Sequence, residues 1–336
     1  MNSLIENPSQ DIIAIPNLVH FVHLLRPNQD LDFEFSFPQF IAIYSAHHYL
    51  RPDTIYIHTN VEGDRVEQII RNTTNPYTKA VCNLPTVQFK FPEVTNETSR
   101  GIPILKLAHQ SDFVRLNILK EYGGIYLDED AYVLRDLRPL RRTGFENIIG
   151  RQKDGDICNA VIMATRNNNM MTAYHTLSDT VFDGSWTRHS AELLSILAKE
   201  FAAIEYQVLV MPQDVFFPLS WFEADLQTLY HVHDQPAQDA VYNVGIQNIA
   251  AFIKNFSMND PTTWERDWRS TYVLHGWHSA LEQKIGSKWQ IADTFGKFGG
   301  ITLEYVLARK SNFARAVYPA VRHALDTGVL DEFEGS

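Results

Sequence analysis

Residues Lys106 to Leu137, KLAHQSDFVRLNILKEYGGIYLDEDAYVLRDL, constrain the fold more than any other stretch of the chain. Apolar residues Leu105, Ala108, Leu116 and Leu119 recur at helical spacing, Gly123-Gly124 breaks the pattern, and Ile125-Tyr126-Leu127 reads as a short apolar strand. That strand runs straight into Asp128-Glu129-Asp130. Side chains at i and i+2 of an extended chain point the same way, so Asp128 and Asp130 present two carboxylates on one side. Two like charges there repel unless a cation lies between them. Hard divalent cations are commonly held by one or two carboxylates together with substrate phosphates. A solvated acidic turn is the plainer alternative, but a strand end anchored in a core favours a built site. Upstream, Asp112 and Arg115 sit three apart on the helix, on one edge of its buried face. As a mere surface pair they would contribute only tenths of a kcal/mol.

The flanking sequence predicts an α/β fold. Leu18 to Leu25, Thr54 to Thr59, Val87 to Phe91 and Ile125 to Leu127 read as strands. Phe37 to Leu50, Asp64 to Arg71 and residues 104–121 read as helices between them. Strands that alternate with helices argue for a mostly parallel, Rossmann-like sheet, whose ligands sit at the C-terminal strand ends. Asp128 and Asp130 fall at such an end. Ala131 to Leu134 continues as an edge piece, Asn147 to Gly150 and Ala160 to Thr165 look like strands, and Asn169 to Val181 and Arg188 to Ala203 look like helices. The expected organisation is an α/β half over residues 1–140 and a more helical, irregular half over 141–336, joined as one continuous domain.

The order Asp-x-x-Arg on a helix, then Tyr-Gly-Gly-Ile-Tyr-Leu-Asp-x-Asp, resembles the GT-A glycosyltransferases whose sugar-binding region contains a DXD motif, the family-32 group with its fungal mannosyltransferases, and the core of the clostridial glucosylating toxins. The strong resemblance covers residues 106–137. Weaker echoes follow in the same order: Ile15-Pro16-Asn17-Leu18-Val19-His20, Cys158-Asn159-Ala160-Val161, Met211-Pro212 through Trp221, and His275-Gly276-Trp277-His278.

The resemblance implies a metal-dependent, retaining transfer of a sugar from a UDP- or GDP-sugar to an acceptor hydroxyl. It implies that Asp130 ligates Mn²⁺ or Mg²⁺, with Asp128 reaching sugar or ribose hydroxyls and a metal-bound water. It implies that His275 completes the metal shell, with His278 as the competing choice. Asp112 and Arg115 would hold the sugar and diphosphate, the guanidinium fork suiting phosphate or hydroxyl oxygens. Asn159, His20 and Tyr126 stand at further positions expected to face the nucleotide-sugar. Asp128, Asp130 and Arg115 are thus the expected catalytic group. Asp214, Glu223 and His189 stay open as a general base if transfer inverts. One departure concerns the base: where the family has a Trp soon after the opening strand's His, this chain has His23.

Two other readings use the same residues. A haloacid-dehalogenase-type phosphatase would use Asp128 as nucleophile and Asp130 as acid/base, although such enzymes place the motif on the first strand. A catalytically silent sugar-nucleotide-binding module would keep the site without turnover.

The net charge of −11 argues against a nucleic-acid partner. It leaves room for a nucleotide-sugar and a small-molecule, glycan or glycolipid acceptor. Cys82 and Cys158 lack metal-ligand spacing. No stretch approaches the 18 apolar residues of a spanning helix, and Met1 to Gln10 lacks the basic start and apolar run of a signal peptide. The expectation is a cytoplasmic chain, or a lumenal one if an anchor was removed. The sequons at Asn72, Asn96 and Asn255 barely move that balance.

Overall fold

The computed structural model describes residues 14–26, 33–234, 264–287 and 289–331. Met1 to Gln10 and the sequon at Asn255 lie outside the described residues. The chain forms two compact units, one of Met1–Pro218 with Tyr272–His275, the other of Leu219–Thr271 with Gly276–Ser336.

In the first unit, β1 (Leu18–His23), β2 (Thr54–Thr59), β3 (Val87–Lys90), β4 (Gly124–Leu127), β6 (Asn147–Arg151), β7 (Ile157–Ala164) and β8 (Val208–Met211) make a seven-stranded sheet in the order β3-β2-β1-β4-β7-β6-β8. All neighbours are parallel except the pairs that β7 makes with β4 and β6. This is the mostly parallel α/β sheet that the sequence implies. Residue 140 does not divide it, since β6, β7 and β8 come later in the chain and complete the same sheet. A separate two-stranded ribbon pairs β5 (Ala131–Val133) with β9 (Val273–His275) in antiparallel register, so Ala131 faces His275.

Helices α1 (Phe37–Leu50), α2 (Gly63–Asn72), α3 (Pro76–Cys82) and α4 (Leu107–Tyr122) link the first strands. Ser36 and Gln39 close a reciprocal cap at the start of α1, and Asn75 caps α3 through Tyr77 and Thr78. α4 starts later than residue 104, so Leu105 lies outside it and is exposed, and Ile104 is buried instead. The helix buries Val114, Leu116, Ile118 and Leu119 against β4, β7 and the helix Asn169–Val181, together with Tyr126, Ile162, Met171 and Tyr174, while Phe113 packs separately with Ile104 and Phe182. The helix also buries Arg115.

The expected helix from Arg188 splits into a wide π turn, Arg188–Glu192, and an α-helix, Leu193–Phe201. In the second unit, Glu223–Tyr230, His278–Ser287, Ile291–Phe295, Leu303–Ala308 and Asn312–Asp326 are helical. Tyr230, Phe295, Tyr305 and Phe313 pack there as an aromatic core.

Candidate active site

Two glycines aim the chain at the site. Gly123 (φ 65°) ends α4 and Gly124 (φ 104°) opens β4 in conformations that L side chains rarely adopt. A Cβ on Gly123 would stand 2.6 Å from the Arg166 backbone nitrogen, and one on Gly124 would stand 2.6 Å from the Leu18 carbonyl oxygen. β4 is buried along its whole length. At its exit the Asp128 N–H donates to the Ala160 carbonyl (2.9 Å), and the Ala131 N–H donates back to the Asp128 carbonyl (2.9 Å). The DXD segment is therefore a pinned turn rather than a loose acidic loop.

The ribbon supplies the third group. Because Ala131 pairs with His275, the imidazole arrives beside the turn, with Nε2 3.0 Å from Asp130 Oδ1 and 3.9 Å from Asp128 Oδ2. One ligand atom from each of Asp128, Asp130 and His275 lies within 4.8 Å of the others. Two carboxylates and one imidazole suit a Mn²⁺- or Mg²⁺-like ion better than a soft one. Burial lowers the proton affinity of His275, but the charge and hydrogen bond of Asp130 outweigh it, and the net shift is upward. Burial likewise raises the Asp128 carboxyl, with Arg115 opposing and Asp130 adding to the rise. Both shifts express crowded, partly desolvated charge, which a cation would relieve. His278 is not in this cluster. It opens the next helix and packs 6.3 Å from the Tyr230 ring, so His275 is the histidine of the metal-type group. Trp277 packs 5.1 Å from Trp221, and its indole N–H donates to the Leu219 carbonyl (2.8 Å).

Arg115 joins the turn to α4. Its fork bonds Asp128 Oδ1 (3.0 Å), the Asn159 carbonyl (2.6 Å) and Asp112 Oδ1 (3.2 Å), and its guanidinium carbon lies 4.4 Å above the Tyr126 ring. Burial opposes its charge, yet Asp128, Tyr126 and Asp112 outweigh burial and hold the guanidinium above its ordinary range. The residue is only 4% exposed. Its two terminal nitrogens bond protein atoms and hold Asp128 Oδ1 from one side. Tyr126 does the same from below, its hydroxyl donating to Asp128 Oδ1 (2.7 Å), and it too is buried.

Asp112 and Asn159 are brought into this network, Asn159 Nδ2 donating to Asp112 Oδ1 (2.8 Å). His20 is not brought to it. It is fully buried in the sheet, with Nδ1 3.1 Å from His58 Nε2 and Nε2 2.9 Å from the Gly123 carbonyl. Both of its ring nitrogens are thus engaged inside the sheet, one of them on the glycine turn.

Glu129, between the two aspartates, points the other way and bonds His23 Nδ1 (2.7 Å) and Gln39 Nε2 (3.0 Å). His23 in turn packs 4.8 Å from Phe35 and 5.2 Å from Phe33. Its ring is thus engaged by protein, at the position where the family has a Trp.

His189 is the residue that sequence reasoning placed least well. As an open choice for a base it would need access, but it is 1% exposed and bonds Asp112 Oδ2 through Nε2 at 3.0 Å. Nothing in the local sequence marks the wide turn that carries it. Of the other two open choices, Asp214 lies in the short helix Gln213–Phe216 and Glu223 in the second unit, 3.2 Å from the Trp289 indole nitrogen.

Residues 43–153 match the family described as "Glycosyltransferase sugar-binding region containing DXD motif". The chain is similar to glucan organizing enzyme 1 of Cryptococcus neoformans, with 25% identity over 270 residues that cover 72% of this chain and 69% of that protein. It is similar to lactosylceramide 4-alpha-galactosyltransferase of Pongo pygmaeus, with 27% identity over 120 residues, 33% of this chain and 53% of that one. It thus spans about half the length of that second relative. Among solved structures, the glycosyltransferase GlyE of Streptococcus pneumoniae aligns over 96% of this chain and 66% of its own, at 11% identity and a TM-score of 0.43. Among the described residues no helix is long and apolar enough to cross a membrane.

Proposed function

We propose that this glycosyltransferase moves a hexose from a nucleotide-sugar, UDP- or GDP-linked, to an acceptor hydroxyl, with retention and with help from a divalent cation. The observation that carries the reading is the convergence of Asp128, Asp130 and His275 at the exit of β4, beside the Asp112–Arg115–Asn159 network. A bound divalent ion supplies Lewis-acid charge to a leaving diphosphate. Asp130 and His275 would hold it, with Asp128 completing the set.

Arg115 and Tyr126 fix Asp128 Oδ1, which leaves Oδ2 toward the ion's place. Asp112 Oδ1 already accepts two bonds, while Oδ2 accepts one and keeps a lone pair for a sugar hydroxyl. In the transfer itself, the bond from the anomeric carbon to phosphate breaks, and the bond to the acceptor oxygen forms on the same face. The acceptor proton passes to the departing phosphate oxygen. This route asks no general base of the protein, which agrees with the burial of His189.

The curated relative's name specifies a 4-alpha linkage on a glycolipid, which makes UDP-galactose the first sugar to try and keeps a glycolipid beside glycans and small molecules as acceptor. Proton NMR of the product from an α-linked nucleotide-sugar tests the stereochemistry. An α-glycoside is expected, and a β-glycoside rejects the retaining assignment. Phosphate-ester hydrolysis without transfer would favour the phosphatase alternative.

A further inference from the structure

The π turn Arg188–Glu192 stands outside the metal-type cluster, and its construction converges on one ring. The Glu192 N–H reaches back five residues to the Thr187 carbonyl (3.0 Å), a widened turn of the kind often found at functional positions. Widening a turn frees carbonyls, and two of them are met from the helix Asn169–Val181. The Ser178 hydroxyl donates to the His189 carbonyl (2.8 Å), and the Tyr174 hydroxyl donates to the Ser190 carbonyl (3.0 Å).

The His189 ring is then clamped. Phe113 stacks on it (5.6 Å, 11°), Phe182 meets it edge-on (4.8 Å, 77°), and His109 does the same (4.9 Å, 75°). Its one hydrogen bond is from Nε2 to Asp112 Oδ2, while Nδ1 is buried without a partner. A carboxylate only accepts, so Nε2 carries the proton and the tautomer is assigned by this contact.

We propose that His189 is the positioning residue that sets the Asp112 carboxylate for the nucleotide-sugar. The inference rests on the reading of Asp112 as a sugar-hydroxyl acceptor. The chain of contacts runs His189 to Asp112, Asp112 to Asn159 and Arg115, and Arg115 to Asp128. Without the Nε2 donor, Asp112 has Asn159 and Arg115 on one oxygen only and can rotate about its last torsion. The sugar end of the site then loosens while the Asp130–His275 contact stays in place.

Three variants test this in the full chain: His189→Phe, which keeps the ring and loses the donor; His189→Gln, whose amide nitrogen reaches the place of Nε2; and His189→Asn, equally polar but one methylene too short. Binding of UDP- and GDP-sugars with Mn²⁺ is followed by calorimetry and turnover by product formation, with melting temperature measured alongside. The expected result is a tenfold or greater rise in the nucleotide-sugar Kd and KM for Phe and Asn. Gln is expected to stay within about threefold of wild type, and the acceptor KM to hold in all three. If Phe does not fold, the Gln and Asn pair carries the same contrast. Equal affinities in wild type, Phe and Asn overturn the role of His189 alone, as does equal impairment of Gln and Asn at matched melting temperature. Absence of nucleotide-sugar binding by the wild type overturns the reading of the site, and the role of His189 with it.

Discussion

Arg115→Ala separates a buried network from a surface ion pair. An exposed i,i+3 pair contributes under about 1 kcal/mol. Here the guanidinium is almost wholly buried, bonds two carboxylates and a backbone carbonyl, and covers the Tyr126 ring. Truncation leaves Asp112 and Asp128 partly buried without their counter-charge and opens a void above Tyr126. Breaking a buried pair in this way costs roughly 3–5 kcal/mol, which in a unit of this size lowers the melting temperature by roughly 10 °C. Urea unfolding at neutral pH measures it. Arg115→Lys, which keeps the charge and loses the fork, should fall between the two. The double variant Arg115→Ala/Asp128→Asn should lose at least about 1 kcal/mol less than the sum of the single changes, because the stranded charge is gone. An Arg115→Ala protein within about 1 kcal/mol of wild type would refute the reasoning.

Three further outcomes follow from the geometry. Gly124→Ala should cost at least about 3 kcal/mol or prevent soluble expression, because a left-handed alanine adds strain to a Cβ pressed on the Leu18 carbonyl; a melting temperature unchanged within 2 °C, on the order of 1 kcal/mol or less, would count against it. Burial lowers His20 to about 4, despite its bond to the Gly123 carbonyl, so the unfolded chain binds the extra proton between that value and the ordinary 6.5. Stability should be fully present above about pH 6.5 and fall as pH drops toward 4, by roughly 3 kcal/mol from this group; urea titrations should find a shallower loss in His20→Gln, and identical pH profiles would remove His20 as the cause. His275→Ala should weaken Mn²⁺ binding at least about tenfold by calorimetry, because one of three ligand atoms is lost, whereas His278→Ala should leave it unchanged.

Much of the first unit was legible because its signals are local. Short apolar or β-branched runs marked β1, β2 and β4, and the glycine pair marked the turn from α4 into β4. Asp128 and Asp130 do converge while Glu129 bonds His23, but they do so from a turn closed by the Ala131 N–H on the Asp128 carbonyl, beyond the strand end, and not from the extended segment that the sequence suggested. What escaped the sequence depends on partners distant in the chain. Leu105 belongs to the helical pattern but lies outside the helix, because Ile104 takes the buried place. His20 is a polar residue whose burial is made acceptable by partners dozens of residues away, and Arg115 adds the Asp128 carboxylate and the Asn159 carbonyl to its local partner Asp112; no local pattern announces these further contacts. The choice of His275 over His278 is made by the register of β9 on β5, three residues of pairing that only the folded chain displays. The π turn at Arg188–Glu192 reads as ordinary helix, and the hydroxyls of Tyr174 and Ser178 that meet its carbonyls come from a separate helix.

The most direct test of the central claim is turnover of a UDP- and GDP-sugar panel by wild type and Asp130→Ala, with Mn²⁺ and with EDTA. Loss of the cation's charge at the leaving diphosphate should cost roughly 4 kcal/mol, about a thousandfold in rate. The account predicts transfer by the wild type in Mn²⁺, and its collapse by about that factor both in EDTA and in Asp130→Ala. Full turnover in EDTA, or an Asp130→Ala rate within a few-fold of wild type, would contradict it.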